Sequence, residues 1–295
     1  MSFSLDTKSE ICGNYEMRPC CRKALLNSAF CFFSTVNQNK MQIKTASSAT
    51  AFYLSLLTKE VFGISFALER NKDNCILSLT DPDEIRTLAE KSGLINPLTN
   101  TVQCTLDPNL SLDSCCQRAV IKGAFLTSGH IADPKKSYHF EIVSLRKRLL
   151  DQLGNIMLSM GIEPKSTMRQ SKHLLYLKEK EQISDLLNIL GATKMFFDFQ
   201  EVTLEKEIKN SLNRKQNFEQ ANLDKTISVS VAQCNAIQSL MDSGKFETLE
   251  ESLKEIALLR LENPEASLAE LASLTQDKIS RSGVNHRLKK LMELK

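Results

Sequence analysis

The chain carries "CCRKALLNSAF" at residues 20–30 and "CCQRAVIKGAF" at residues 115–125. One eleven-letter pattern is written twice, 95 positions apart, and the fold turns on that repetition. The match runs on past the opening letters. Three extra residues near "DPKK" move the offset to 98, after which "FGISF" (62–66) falls on "MGIEP" (160–164) and "ILSL" (76–79) on "LLYL" (174–177). "DEIRTLAEKSGL" (83–94) likewise falls on "EQISDLLNILGA" (181–192). Two copies of one unit, about residues 20–95 and 115–193, therefore fill most of the first 200 residues. Solenoid repeats run about 20–50 residues, so this longer period marks a duplicated subdomain.

Each copy reads as helix, two strands, helix, two strands, helix. Ala24, Leu25, Ser28, Ala29 and Phe32 recur at helical spacing. "KMQIKTA" and "SYHFEIVS" alternate like strands of a hairpin. Amphipathic helices follow over 49–61 and 145–159, and a last helix closes at Gly93 or Gly191. In the opening helices, small residues stand four apart: Ala24 and Ser28, then Ala119 and Gly123. That spacing lets two helix backbones approach closely, so the repeated helices are expected to pair about a pseudo-two-fold axis.

A duplicated αββαββα unit whose helix reads "IKGAFLTSG" (121–129) resembles the LAGLIDADG homing-endonuclease fold. In that fold, the resemblance implies, paired central helices carry an acid at the penultimate motif position, and two carboxylates hold the metals that activate water. Here the two positions are Phe33 and Ser128. Neither suits a hard cation that demands oxygen ligands. The expectation is a retained scaffold without catalytic residues, no metal and no cofactor. Asp133, in the turn before the second hairpin, is the nearest acid for a residual nuclease.

Nine cysteines include two vicinal pairs, Cys20–Cys21 and Cys115–Cys116, with no CxxC and no Cys/His set at zinc-finger spacing. The reading is reduced thiols acting as small buried hydrophobes, without structural zinc. No apolar run reaches the ~18–20 residues of a membrane span, and the start "MSFSLDTKSE" lacks a secretory layout. The expected location is the cytoplasm, in association with the nucleoid. Net charge is +3, but residues 135–180 hold ten Lys/Arg against four Asp/Glu, and residues 276–295 hold six against two. Two basic zones in a near-neutral chain suggest a polyanion met at defined surfaces.

From about residue 204 the chain turns polar and helical in period, with an amide-and-charge cluster at Asn213, Arg214, Asn217, Glu219 and Asn222. This reads as a connector helix with a break, over 201–245. In "ASLAELASLTQDKISRSGVNHRLKKLMELK", Ser267 and Glu270 form a capping box. Leu268, Leu271, Ala272 and Leu274 form one apolar stripe, and Val284, Leu288 and Leu291 a second. Two short helices about a turn, the second basic, describe a helix-turn-helix over 246–295. Its candidate DNA-contacting residues are Ser267, Ser280, Arg281, Ser282, Asn285, His286, Arg287, Lys289 and Lys290. Arg146, Lys147, Arg148, Lys172 and Arg214 are candidates for backbone phosphates.

The whole chain is similar to the WhiA family. The likeness covers "SFSLDTKSEI", the paired "CC…GAF" helices, "SGHIADPKKSYHFEI", "NRKQNFEQANLDKT" and "SLAELASLTQDKISRSGVNHRLKKL". It departs at Phe218, where the family pattern has a cysteine. The resemblance implies an α+β LAGLIDADG-like domain over 1–200 followed by an all-α helix-turn-helix domain. It also implies a DNA-binding transcriptional regulator that is not an enzyme, tied to cell division and chromosome segregation in Firmicutes and to sporulation in actinobacteria. Double-stranded DNA is the expected partner, with other transcription or division proteins open and no membrane. Two other classes stay consistent with the sequence: an adaptor of the division machinery that binds no DNA, and a residual metal-dependent endonuclease.

Overall fold

A computed structural model describes residues 2–14, 16–33, 35–37, 39–71, 74–96, 101–102, 104–111 and 113–294. The chain divides into two units, Met1–Lys206 and Glu207–Lys295.

The first unit opens with α1 (Phe3–Gly13), a helix the repeat did not announce, capped by Ser2. The first copy is α2 (Pro19–Phe33), β1 (Thr35–Asn37), β2 (Lys40–Thr45), α3 (Ser48–Phe62), β3 (Ala67–Arg70), β4 (Cys75–Leu79) and α4 (Pro82–Lys91). A two-stranded hairpin, β5 (Ile95–Asn96) and β6 (Thr101–Val102), leads out of it. The second copy is α5 (Ser114–Ser128), β7 (Gly129–Ile131), β8 (Phe140–Ser144), α6 (Lys147–Ser159), β9 (Lys165–Arg169), β10 (Lys172–Leu177) and α7 (Lys180–Leu190). The two sheets share one antiparallel order, β1-β2-β4-β3 and β7-β8-β10-β9. Their core pairs correspond: Met41 faces Leu79 in the first, Phe140 faces Leu177 in the second.

The opening helices of the two copies pack together at the centre. Ala24 to Phe30 are buried without interruption, as are Ala119, Val120, Ile121 and Gly123 to Thr127. A Cβ on Gly123 would run into the Leu25 carbonyl oxygen and lie 3.0 Å from both the Ala29 nitrogen and the Ser28 Cβ. The Ser28 hydroxyl donates to the Val120 carbonyl at 2.7 Å. Small residues four apart thus bring the backbones together, as the sequence led us to expect. Asn27, buried in the same helix, donates to the Ser92 carbonyl at 2.6 Å and accepts from the Asp107 amide at 3.3 Å, so this interior amide costs little.

α8 (Thr193–Asp242) corrects the connector reading, because it runs as one 50-residue helix with no break. Its first turn is held by Glu10, whose carboxylate accepts from the Lys194 and Met195 amides at 2.6 and 3.0 Å. An acid there satisfies orphan N–H groups and the helix dipole together. Its last turns belong to the second unit, where Ile237 and Leu240 are buried with α9 (Glu251–Glu262), α10 (Leu268–Leu274) and α11 (Arg281–Glu293). The second core therefore starts before residue 246. Val284, Leu288 and Leu291 point inward as expected, but Leu274 is half exposed, so the α10 stripe rests on Leu271.

Candidate nucleic-acid interface

α10 and α11 are joined by Thr275–Ser280, a connection of six residues pinned at both ends. The Thr275 hydroxyl donates to the Ala272 carbonyl and accepts from the Ile279 amide. The Gln276 amide donates to Glu255 on α9 at 2.7 Å. Two of the serines singled out from sequence are caps. Ser267 forms the expected capping box with Glu270, and Ser280 accepts from the Gly283 amide at 3.2 Å. Each hydroxyl thus has one lone-pair acceptor committed to the backbone.

Val284, Leu288 and Leu291 fix the rotation of α11, and at about 100° per residue the remaining candidates separate into three groups. Ser282, His286 and Lys289 face away from the core and are exposed. Arg281 and half-buried Asn285 occupy one shoulder. Arg287 and Lys290 occupy the other shoulder and turn back onto α9: Arg287 donates to the Ser252 carbonyl at 3.3 Å, and Lys290 pairs with Glu250 at 3.6 Å. The outward face is therefore smaller than the full set of basic and amide residues named from sequence.

Beside Arg281 lies a cleft of about 590 Å³ whose lining includes Lys225, Gln233, Arg260 and Ser267. Arg260 is 2 % exposed, and its guanidinium donates to the Ala266 carbonyl at 2.7 Å. It ties down the α9–α10 loop. Sequence reading missed Lys225 and Arg260, because only the return of the chain onto α8 places them beside Arg281. Arg214 lies on an exposed stretch of α8, apart from this cleft's lining.

In the first unit the candidate phosphate contacts are unequal. Lys147, Arg148 and Lys172 are exposed. Arg146 is exposed as well, but its guanidinium donates to the Cys31 carbonyl at 3.0 Å and links the two copies. Elsewhere in the basic zone, Arg169 pairs with Glu141 at 3.4 Å and Lys165 with Glu179 at 3.8 Å. The excess of cations read from sequence is partly neutralised.

At the C-terminal ends of the central helices, Ser128 donates to the Phe32 carbonyl at 3.2 Å. The Phe33 side chain lies outside the described residues. A cleft of about 360 Å³ here is lined by Phe32, Thr127, Ser128, Leu145 and Lys172 among others, and no carboxylate is among its described lining residues. Asp133 accepts from the Lys135 amide at 2.9 Å within its own turn, away from that cleft. A serine, an apolar wall and a lysine do not suit a divalent ion of the magnesium type. No helix among the described residues is long and apolar enough to cross a membrane.

Residues 212–295 match the WhiA C-terminal HTH domain, and residues 117–209 match the WhiA LAGLIDADG-like domain. A probable cell division protein WhiA of Clostridium botulinum is 32% identical over 307 residues, covering 100% of this chain and 98% of the relative. One of Lachnoclostridium phytofermentans is 36% identical over 308 residues, with the same coverage. The crystal structure of full-length DUF199/WhiA from Thermatoga maritima superposes with a TM-score of 0.62 at 20% identity, covering 100% of this chain and 98% of that one. An N-terminal LAGLIDADG domain of DUF199/WhiA superposes with a TM-score of 0.51 at 15% identity, over 64% of this chain and 92% of that one.

Proposed function

The chain belongs to the WhiA family, and from that premise we propose that it is a DNA-binding transcriptional regulator acting in cell division and chromosome segregation. The helix-turn-helix reads sequence from the major groove, and the LAGLIDADG-like domain serves as a scaffold without nuclease chemistry. The observation that carries this reading is the outward face of α11. Ser282, His286 and Lys289, with Asn285 at the shoulder, are donor and acceptor side chains free of the core that Val284, Leu288 and Leu291 fill. Such residues reach base edges when a helix enters the groove. Lys147, Arg148 and Lys172 supply phosphate contacts that add affinity without sequence information.

The test is fluorescence anisotropy of the full chain on duplexes recovered from its own chromosome, across a salt series. Contact with about six phosphates gives a log–log slope of about −5. Asn285→Ala and Lys289→Ala should each cost about 1–3 kcal/mol on the recovered site and much less on scrambled DNA. Equal losses on both would reduce these residues to phosphate contacts. Weak binding that ignores salt would replace the regulator by a protein adaptor.

A further inference from the structure

The doubled "CC" of the repeat lies outside the residues assigned above to DNA contact, and the fold brings its two copies together. Cys20 and Cys21 lie in the first turn of α2, and Cys115 and Cys116 in the first turn of α5. Because the helices cross as closely as Gly123 requires, the two vicinal pairs meet. All four Sγ atoms lie within 4.8 Å of one another, and within each pair the separation is 3.9 Å.

Those distances discriminate between chemistries. A disulfide needs about 2.05 Å between sulfurs. Four thiolates at about 2.3 Å from one tetrahedral zinc stand about 3.8 Å apart. An iron–sulfur cluster distributes its thiolates over two or more irons and needs a wider set than this. Four sulfurs all within 4.8 Å of one another match the span of a single tetrahedral ion. Thiolates also select soft or borderline cations and reject magnesium and manganese.

The surroundings fit a site of net negative charge. The four cysteines sit in the first turns of two helices, where the helix dipoles favour thiolate over thiol. A cleft of about 590 Å³ reaches the cluster from solvent, lined by Cys21 and Cys115 with three cations, Arg18, Arg118 and Lys122, against two acids, Glu16 and Asp113. Thiolates rather than thiols ligate the ion, so a cation entering the set displaces the thiol protons.

We propose that Cys20, Cys21, Cys115 and Cys116 form a tetrathiolate site for one zinc ion that clasps the two copies at the N-terminal ends of α2 and α5. With four protein ligands the coordination sphere is closed, so the ion is structural rather than catalytic. It joins residues 95 positions apart and stabilises the pairing of the copies on which the domain depends.

The test uses the full chain, purified under reducing conditions without chelator. Elemental analysis should return about one zinc per chain, and anaerobic Co²⁺ titration of the stripped chain should give the visible bands of a tetrahedral tetrathiolate, bleached by added zinc. Cys21→Ser combined with Cys116→Ser should abolish the bands, whereas Cys75→Ser in β4 should leave them. To keep the result independent of any folding defect in the double variant, the wild-type chain is also labelled with maleimide with and without zinc. Zinc should protect Cys20, Cys21, Cys115 and Cys116 as a group in mass-spectrometric mapping. No metal and no cobalt bands in the wild-type chain, bands that survive the double substitution, or protection elsewhere would each overturn the proposal. So would a disulfide between the two pairs in chain freshly isolated without reductant.

Discussion

The two ends of the α2–α5 pair differ in what duplication has left there. At the C-terminal end Ser128 bonds the Phe32 carbonyl in a cleft without a carboxylate among its described lining residues. At the N-terminal end, four thiols converge within 4.8 Å. Both ends lie on the same pseudo-two-fold axis, and any residue near that axis is presented twice. A duplicated helix therefore creates clustered chemistry wherever it places a reactive side chain, and an ordinary interface wherever it does not. Close backbone approach supports both ends.

The largest effect is accordingly expected at the crossing itself. Gly123→Val puts a Cβ onto the Leu25 carbonyl, which belongs to backbone and cannot swing aside. The helices must separate, both ends of the pair come apart, and the cost exceeds about 4 kcal/mol, the range reached by gross overpacking. Thermal denaturation should show loss of the cooperative transition of the first unit. Gly154→Ala is the comparison, since a Cβ there meets only Leu175 at 3.7 Å. That variant should hold or gain stability, by up to about 1 kcal/mol of helix propensity. If both glycines tolerate substitution, the close crossing does not organise the domain.

Most of this was legible in the sequence. The offset of 98 places β4 on β10 and α4 on α7, and the small residues Ala24, Ser28, Ala119 and Gly123 mark the crossing by their spacing alone. The cysteine cluster was not legible, because metal-site spacing is searched along the chain, whereas these pairs become neighbours only through helix pairing. Nor was the continuity of α8, whose polar middle stretch carries no glycine or proline and yet reads as a break by composition. On α11 the apolar stripe set the rotation correctly. The loss of Arg287 and Lys290 to α9 depended on Ser252 and Glu250, whose positions no local pattern discloses.

A smaller effect belongs to the C-terminal half of the crossing, where Lys8 of α1 lies with its ammonium 5.4 Å from the centre of the Phe125 ring. Burial pulls Lys8 from 10.5 down to about 8, with Cys12 acting weakly in the other direction. Between those values the unfolded chain holds a proton that the folded chain lacks, so this group makes stability rise with pH from about 8 to 10.5. Below about 8 the full cost of a buried ammonium is present. Lys8→Met should therefore stabilise the chain at pH 7 by about 2 kcal/mol, after allowing for the lost cation–π contact. Buried thiols such as Cys12, pushed up to about 12 by desolvation, act with opposite sign at alkaline pH. The difference between wild type and variant in urea unfolding isolates the lysine, and that difference should vanish above about pH 10.5. A constant difference across pH would mean that burial does not shift Lys8 and that its ammonium stays hydrated in the fold.

The smallest effect is at Ser128. Ser128→Ala removes one half-buried hydrogen bond to the Phe32 carbonyl, a loss of about 1 kcal/mol, readable as a small shift of the urea midpoint. Ser128→Asp asks the sharper question of whether the old acid position can be refilled. A carboxylate there meets the Phe32 carbonyl and the negative ends of two helix dipoles. An endonuclease offsets that repulsion with a pair of acids and the cations they bind, and here the opposite position in sequence is Phe33. The aspartate variant should be less stable than the alanine variant, and plasmid incubated with it and magnesium or manganese should stay supercoiled. Nicking by Ser128→Asp would mean that the second half of a metal site survives nearby. The contrast between the two ends of the helix pair would then be one of a single missing residue rather than of a lost site.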